Sequence, residues 1–246
     1  MSRSQFQSFI ECEARQIAKL AGEWAEETPV HFLVGSFTHS WCEGTLSEFT
    51  AEHPEMFKKD GCLKAEFQHA LTMIQTLESD PFAMHVLTGE KEQIFTAELF
   101  GVLWKVMIDV HVPGKRNTDL KTTKSIYELA WSQEHGGKVN FLEQFNYPMQ
   151  YAIYSEVERK ANGRPEGEWL PFYAVAVSKE KVPDKEVIEL TDPDRLQVEL
   201  AKVGAHMPRI LAVKEGRVEP VRCGRCPYCL TTKRLTRAIH YTEIGT

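Results

Sequence analysis

The sequence contains no uninterrupted apolar run approaching the ~18 residues that a membrane-spanning helix requires. Its first residues, Met1 to Gln5, also lack the apolar stretch of a secretion signal. We therefore expect a cytoplasmic protein without a membrane partner. Because disulfides are rare in that reducing compartment, the six cysteines are expected to be free thiols or metal ligands.

Excess positive charge is also absent. The chain carries 29 Lys and Arg against 35 Asp and Glu, which gives a net charge of −6 and a pI near 5.9. Nucleic-acid-binding domains are usually basic, so this balance alone suits an acidic enzyme of small substrates. However, a nuclease can be acidic overall and basic along its DNA channel. The basic residues do form two clusters, which are Arg222, Arg225, Lys233, Arg234 and Arg237, and Lys115, Arg116, Lys121 and Lys124.

No Gly-x-x-x-x-Gly-Lys-Ser/Thr motif, internal repeat, low-complexity tract or linker is present in the sequence. The chain therefore shows no sign of ATP-driven strand separation. Its 246 residues, 42% of them hydrophobic, are enough to bury a sizeable core. We expect a single domain over residues 1–246, with a helical N-terminal part and a cysteine-containing tail at about 222–246.

Apolar periodicity predicts where the helices and strands of this domain lie. Segment 49–61 is polar and is expected to be a loop or a short surface helix. Segment 126–146 is mixed in composition, and its Gly136-Gly137 pair suits a mobile or DNA-proximal loop. The predicted helices span 6–25, the segment around 35–43, 65–77, 148–160 and 193–211. The predicted strands span 93–100, 102–110, 118–122, 172–178 and 186–190.

The sequence Asp119-Leu120-Lys121 is the most informative feature of the chain. Residues two apart in a strand point to one face, so Asp119 and Lys121 should project together. Asp109 is predicted to end the preceding strand, where pairing would bring it close to both. Two carboxylates can hold Mg²⁺ or Mn²⁺, while the lysine serves an attacking water or the developing charge. By itself, such a pattern is more often a solvated salt bridge in a hairpin.

Two helical segments carry further polar residues at a spacing of four. Gly35, His39 and Glu43 share one helix face, and the glycine permits close approach of another backbone. Gln150 and Tyr154 share a face of the helix that begins near Pro148. Taken singly, a histidine or tyrosine at such a spacing is more often a core residue than a functional one.

In chain order these residues read G-x-x-x-H, D, D-x-K and Q-x-x-x-Y. The pattern resembles the RecB-type branch of the PD-(D/E)XK nuclease superfamily, and most of all the RecE-like phage exonucleases of the exonuclease VIII type. Segments 9–14, 101–105, 119–125 and 222–229 extend the resemblance over nearly the whole chain. It implies an α/β fold with a restriction-endonuclease-like core, a mixed sheet flanked by helices and helical N-terminal additions.

The resemblance also implies roles for the motif residues. Mg²⁺ or Mn²⁺ would be held by His39, Asp109, Asp119 and the Leu120 carbonyl. Lys121 would position or activate the attacking water and stabilise charge. Two further residues, Gln150 and Tyr154, would orient the DNA strand or the carboxylates.

The implied activity is 5′-to-3′ degradation of linear double-stranded DNA from its ends, in a phage or prophage setting within a bacterial cell. The exposed 3′ strand would pass to a RecT-type annealing protein, and a ring-like homo-oligomer would enclose the DNA. Two alternatives remain: a single-strand or structure-specific nuclease of the AddB or CRISPR-associated type, and a non-catalytic, metal-stapled DNA-binding module. Glu98 could join the site only if the strand register places it there.

Cys223, Cys226 and Cys229 form a C-x-x-C-x-x-C motif that can wrap one soft metal centre. Zinc and iron–sulfur clusters normally need four ligands, and the fourth could be Cys12, Cys42 or Cys62. The resemblance to AddB-like relatives favours Cys12 and a [4Fe-4S] cluster that ties the chain ends together. Zinc is the main alternative, ahead of free thiols.

Overall fold

The computed structural model describes residues 1–26 and 30–243. Two compact units are distinguished. One contains residues 1–3 and the described residues from 30 to 205, and the other contains residues 4–26 and 206–243. The expectation of a single domain over 1–246 stays a prediction. Within the described ranges, no helix is both long and apolar enough to cross a membrane.

The larger unit is built on a five-stranded sheet. Its strands, in chain order, are β1 (Glu90–Leu99), β2 (Val102–Val112), β3 (Arg116–Thr123), β6 (Phe172–Ser178) and β7 (Lys185–Glu189). They lie side by side in that same order, and β3 and β6 are parallel while the other neighbours are antiparallel. A separate hairpin consists of β4 (Ala130–Ser132) and β5 (Gly137–Val139).

Helices account for most of the remaining chain. Those before the sheet are α1 (Arg3–Glu11), α2 (Glu13–Leu20), α3 (Val30–Glu43), α4 (Leu46–Glu52), α5 (Ala65–Glu78) and α6 (Pro81–Val86). Those after β3 are α7 (Phe141–Gln144), α8 (Tyr147–Ala161), α9 (Pro193–Lys214) and α10 (Pro227–Thr231). The predicted α/β fold, a mixed sheet flanked by helices with helical N-terminal additions, is confirmed.

Alternation along β6 separates the two faces of the sheet. Val175 and Val177 pack with residues of α5 and α6, whereas Phe172 and Ala174 pack with Tyr151 of α8. Because side chains alternate between faces, each residue of β3 shares the face of the β6 residue beside it. The register of these two strands therefore decides which residues of β3 face α8.

The predicted helix over 6–25 is wrong in its extent. Cys12 has an extended backbone, with φ −167° and ψ 104°, and separates α1 from α2. The second helix ends at Leu20, and Gly22 follows with a φ of +74° that a residue with a side chain rarely adopts. Periodicity alone could not reveal this break, because apolar residues recur at helical spacing both before and after Cys12.

Several short elements were not predicted. The segment 126–146, expected to be a loop, contains β4, β5 and α7, and helix α6 has no counterpart among the predicted elements. Asp80 begins α6 by accepting hydrogen bonds from the backbone N–H groups of Phe82 and Ala83. Short elements of this kind depend on capping and tertiary packing, which leave little periodic signal.

We expect Leu77→Ala to lower the free energy of unfolding by about 2–5 kcal/mol. Leu77 is fully buried among residues of α5, α6 and the sheet, so truncation leaves a cavity that can only partly collapse. Leu103→Ala, at a side chain that is 60% exposed, should change stability by about 0.5 kcal/mol or less. Urea unfolding followed by circular dichroism measures both, and equal effects would contradict this packing.

Candidate active site and cysteine centre

Strand β3 presents Asp119 and Lys121 on one face, as the sequence predicts. In the parallel pairing with β6, Asp119 lies beside Ala174 and Lys121 beside Ala176. Since Ala174 packs toward α8, both charged side chains face that helix. The intervening Leu120 points to the opposite face, where it is fully buried in the core.

Asp109 meets these residues where β2 and β3 separate. The backbone pairing of the two strands extends only as far as Val110 and Thr118. Just beyond it, the Leu120 N–H donates a 2.8 Å hydrogen bond to Asp109 Oδ2. Asp109 therefore lies within β2, three residues before its last residue, rather than at the end of the strand as predicted. The register of the paired residues places Asp109 opposite Asp119, and the separation of the strands leaves the Leu120 N–H available to the Asp109 carboxylate.

The two carboxyl groups have opposite pKa shifts. Burial and the neighbouring Asp119 charge raise the pKa of Asp109 well above its ordinary value. Burial also acts to raise the pKa of Asp119, but the Lys121 charge and hydrogen bonds from Asp109 and Lys121 outweigh it and lower the pKa. Two carboxyl groups this close in a buried place repel each other when both are ionised, so one loses its proton more easily than the other. A cation bound between them would relieve this repulsion.

Lys121 is held as a cation. Its Nζ lies 2.5 Å from Asp119 Oδ2 and 4.5 Å from the centre of the Tyr147 ring. Burial acts to lower the pKa of Lys121, but the Asp119 carboxylate and other neighbours outweigh it and raise the pKa. The lysine thus remains protonated at neutral pH.

His39 reaches the same place from α3. Its Nδ1 lies 3.4 Å from Asp109 Oδ2. Burial lowers the pKa of His39 to about 4, despite the opposing effects of Asp119 and a hydrogen bond to the Leu120 backbone. The imidazole is therefore neutral at pH 7, and a neutral imidazole is the form that binds metal ions. One turn earlier, a methyl group at Gly35 would lie 3.4 Å from Thr122 Oγ1, an ordinary contact, so α3 does lie against β3.

The two predicted residues of α8 have different surroundings. Gln150 is buried, and its Nε2 donates a 3.1 Å hydrogen bond to Asp119 Oδ2. Tyr154 instead packs against the cluster formed by Ile108, Tyr151 and Phe172. Burial and the charge of Asp119 raise the pKa of Tyr154 to about 12. Gln150 is therefore bonded directly to a carboxylate of the site, while Tyr154 packs in the core beside it.

The two acidic residues of uncertain role differ in position. Glu98 is exposed and pairs with Leu103, far along the β1–β2 hairpin from Asp109, so it lies outside the site. Glu43 lies one turn after His39 and accepts a hydrogen bond from the Thr45 hydroxyl. Burial and the nearby Glu92 raise the pKa of Glu43.

Two tyrosines of α8 join the site without having been predicted. The Lys121 ammonium lies over the Tyr147 ring, and the fully buried Tyr151 side chain lies close to Asp119. Burial and the Asp119 charge raise the pKa of Tyr151 well above its ordinary value. The signal that could have found them is spacing, because Tyr147, Tyr151 and Tyr154 recur at intervals of four and three on one helix face.

The chemistry of these groups fits a divalent cation. Two buried carboxyl groups, a backbone carbonyl and a neutral imidazole are the oxygen and nitrogen donors that Mg²⁺ and Mn²⁺ accept. Among the described residues, only the cysteine group considered next brings three or more Cys, His, Asp or Glu ligand atoms within 4.8 Å of one another. The ligand atoms of His39, Asp109 and Asp119 are therefore more widely separated than those of the cysteines. The Lys121 ammonium forms an ion pair with Asp119.

Four cysteines converge within the smaller unit. The sulfur atoms of Cys12, Cys223, Cys226 and Cys229 all lie within 4.8 Å of one another, so together they could hold a metal ion. Cys12 Sγ lies 3.6 Å from Cys229 Sγ, and Cys223 Sγ lies 3.9 Å from Cys229 Sγ. Cys42, buried in the larger unit, and the exposed Cys62 take no part.

The local backbone favours the thiolate form of Cys223. The backbone N–H groups of Arg225 and Cys226 lower the pKa of Cys223 to about 6, and the second of these donates to its sulfur at 3.3 Å. The Cys229 N–H donates a similar bond to the sulfur of Cys226 at 3.5 Å, but burial outweighs it and raises the pKa of Cys226 to about 12. Thiolates are the form in which cysteines bind metals.

Comparison with known proteins agrees with this architecture. Residues 2–232 match the model of a PDDEXK-like domain of unknown function (DUF3799). A crystal structure described as that of a "putative exonuclease" from Eubacterium rectale is 37% identical, with a TM-score of 0.92 over 100% of this chain and 92% of that chain.

Weaker comparisons add nothing further. The structure of SSO0001 covers 82% of this chain and 84% of that chain at 15% identity, and its TM-score of 0.30 supports no argument. A search of curated proteins gave no match. Because the family model spans almost the entire sequence and the E. rectale structure aligns over all of it, this chain belongs to the PDDEXK-like family.

Proposed function

We propose that this protein is a divalent-metal-dependent nuclease that hydrolyses phosphodiester bonds of DNA. The observation that carries the proposal is the meeting of Asp109, Asp119 and Lys121 at one buried point, with Gln150 fixing Asp119 and a neutral His39 beside Asp109. Membership of the PDDEXK-like family supports the same reaction. A purely structural salt bridge would not need a second carboxyl group raised in pKa next to it.

The metal would be held by Asp109, Asp119, the Leu120 carbonyl and His39. A bound divalent ion supplies Lewis acidity that polarises the scissile phosphate and favours ionisation of the attacking water. Because Asp119 Oδ2 accepts a hydrogen bond from Gln150, the amide fixes the direction of this carboxylate. The hydrogen bond from the Leu120 N–H does the same for Asp109.

Lys121 acts through its charge in this mechanism. An ammonium that stays protonated can donate hydrogen bonds to a phosphate oxygen and stabilise negative charge as it develops. It cannot accept a proton from water in that state, so activation of the nucleophile falls to other groups. The ring of Tyr147 lies against the ammonium and limits the directions in which it can move.

The proposal extends to the substrate. The description of the E. rectale protein supports an exonuclease. The motif resemblance to RecE-like exonucleases supports the finer proposal of an exodeoxyribonuclease that degrades linear double-stranded DNA in the 5′-to-3′ direction. Such an enzyme exposes 3′ single strands for a RecT-type annealing protein, and a ring-like homo-oligomer around the DNA would make it processive.

For the cysteine centre we infer that the metal is a single zinc ion. With Zn–S bonds of about 2.3 Å, thiolates on one tetrahedral ion lie ~3.8 Å apart. The separations of 3.6 and 3.9 Å match that value. In a [4Fe-4S] cluster each thiolate binds a different iron, so the sulfurs are spread more widely. The distances therefore favour zinc over the iron–sulfur cluster that the sequence resemblance suggests.

Asp119→Asn should lower metal-dependent DNA cleavage by roughly 100-fold or more, because the amide removes the charge that a cation needs while keeping the shape. Lys121→Ala should cut turnover comparably but retain Mn²⁺ binding, measured by calorimetry. Release of acid-soluble nucleotides from linear duplex with Mg²⁺ or Mn²⁺, and with EDTA as the metal-free reference, gives the rates.

The matched control for this series is Glu98→Gln, which makes the same acid-to-amide change on an exposed side chain outside the site. It should cleave like the parent protein. Near-normal cleavage by Asp119→Asn would refute the proposed mechanism.

The requirement for DNA ends provides a separate test. An exonuclease should degrade linear duplex and leave covalently closed circles intact. Strands labelled at the 5′ or the 3′ end, compared over time on a gel, give the direction of digestion. Efficient nicking of closed circular DNA would indicate an endonuclease and refute the proposed RecE-like activity.

Cys226→Ser should reduce bound zinc well below about one ion per chain and lower the thermal unfolding midpoint by roughly 5 °C or more. Cys62→Ser is the matched control and should be nearly neutral, because Cys62 is exposed and outside the cluster. Elemental analysis and calorimetry provide the readouts. Brown protein that absorbs near ~400 nm would instead indicate an iron–sulfur cluster.

A further inference from the structure

A cleft of about 540 Å³ opens beside the carboxyl pair. Its walls come from α3, the last residues of β3, the junction of α7 and α8, and Lys179 just after β6. His39 and Lys121 line the cleft and also belong to the candidate active site. A group that fills this space therefore lies directly against the reacting centre, and the volume is in the range of small-ligand sites.

The charge of the cleft is opposite to that of the protein. Three lysines line it, namely Lys121, Lys124 and Lys179, and none of its lining residues is Asp or Glu, although the chain carries a net charge of −6. Lys179 is held beside the end of β3 by a 2.7 Å hydrogen bond from its backbone N–H to the Thr123 carbonyl. The Lys124 ammonium pairs with the surface residue Glu128 at 2.7 Å, and surface pairs of this kind are weak.

Two partly exposed phenylalanine side chains line the same cleft. Phe145 is 49% exposed and Phe32 is 59% exposed, so a large part of each ring faces solvent. The ring centres of Phe145 and Tyr147 are 5.9 Å apart, and the Lys121 ammonium lies over the Tyr147 ring. Exposed aromatic faces beside cationic groups are the combination that binds single-stranded nucleic acid, since bases stack on the rings and phosphates meet the charges.

We propose that this cleft binds unpaired nucleotides of the DNA strand next to the scissile phosphate. Phe145 stacks on a base, while Lys124 and Lys179 contact backbone phosphates. The proposal rests on the nuclease function proposed above and adds that the strand bound beside the active site is unpaired. Bases inside a duplex are already stacked on one another, so a double-stranded end has to fray before it can occupy the cleft.

The test is fluorescence anisotropy of the full-length protein with a short labelled single-stranded oligonucleotide, in EDTA so that no cleavage occurs. Phe145→Ala should weaken binding roughly ten-fold or more, because stacking contributes on this scale for each base. Phe145→Trp should restore it. Phe82→Ala, the same change at a 62% exposed phenylalanine of α6, is the matched control and should bind like the parent.

The lysines are tested by salt dependence. Lys124→Ala and Lys179→Ala should each weaken binding and flatten the plot of log affinity against log salt by about 0.7, the slope per phosphate contact for a single strand. Lys59→Ala, at an exposed lysine outside the cleft, should change neither quantity. Blunt duplex and a deoxynucleoside monophosphate serve as competitors, and both should compete more weakly than the unlabelled single strand.

The proposal is overturned if Phe145→Ala binds the oligonucleotide within two-fold of the parent while circular dichroism shows it folded. It is also overturned if blunt duplex competes as well as single strand and the substitution weakens both alike. Single-strand binding lost in Phe145→Ala, without any metal-dependent cleavage by the parent, would preserve the cleft and refute the nuclease. Metal-dependent cleavage by the parent, together with single-strand binding that Phe145→Ala leaves unchanged, would support the nuclease and refute the proposed role of the cleft.

Discussion

Two carboxyl groups buried side by side are the constraint on which the rest of the larger unit depends. Like charges repel strongly where water is excluded, so Asp109 and Asp119 can be close only if other groups compensate. Lys121, the Leu120 N–H and the Gln150 amide supply that compensation. The register of β2 against β3 and the rotational position of α8 together bring these groups close to one another.

The parts of this arrangement that the sequence could predict are those set by a local period. Alternation along a strand places Asp119 and Lys121 on one face, and a helical turn relates His39 to Gly35. Strand β6 was predicted with its correct ends because its residues are buried on both faces and carry a continuous apolar run. The general fold follows from such runs, since each element must bury its apolar side.

What the sequence could not predict depends on contacts between distant residues. Lys179 enters the cleft only because β6 runs parallel to β3 and ends beside it. Tyr151 and Tyr154 are three residues apart, and this spacing does not show which hydroxyl group is buried nearer to the carboxyl pair. The packing of α8 against the sheet decides it. The choice between zinc and an iron–sulfur cluster likewise depends on sulfur separations, which a C-x-x-C spacing leaves open.

The convergence of the four cysteines has a consequence for the order of events during synthesis. Cys12 and Cys229 are 217 residues apart in the chain, so a very long loop joins them. Closing it costs more chain entropy than a local contact does, and it has to wait until Cys229 has left the ribosome. The residues of the five-stranded sheet all lie between the two cysteines and are translated earlier. The sheet can therefore form cotranslationally, whereas the N-terminal helices receive their C-terminal partners later.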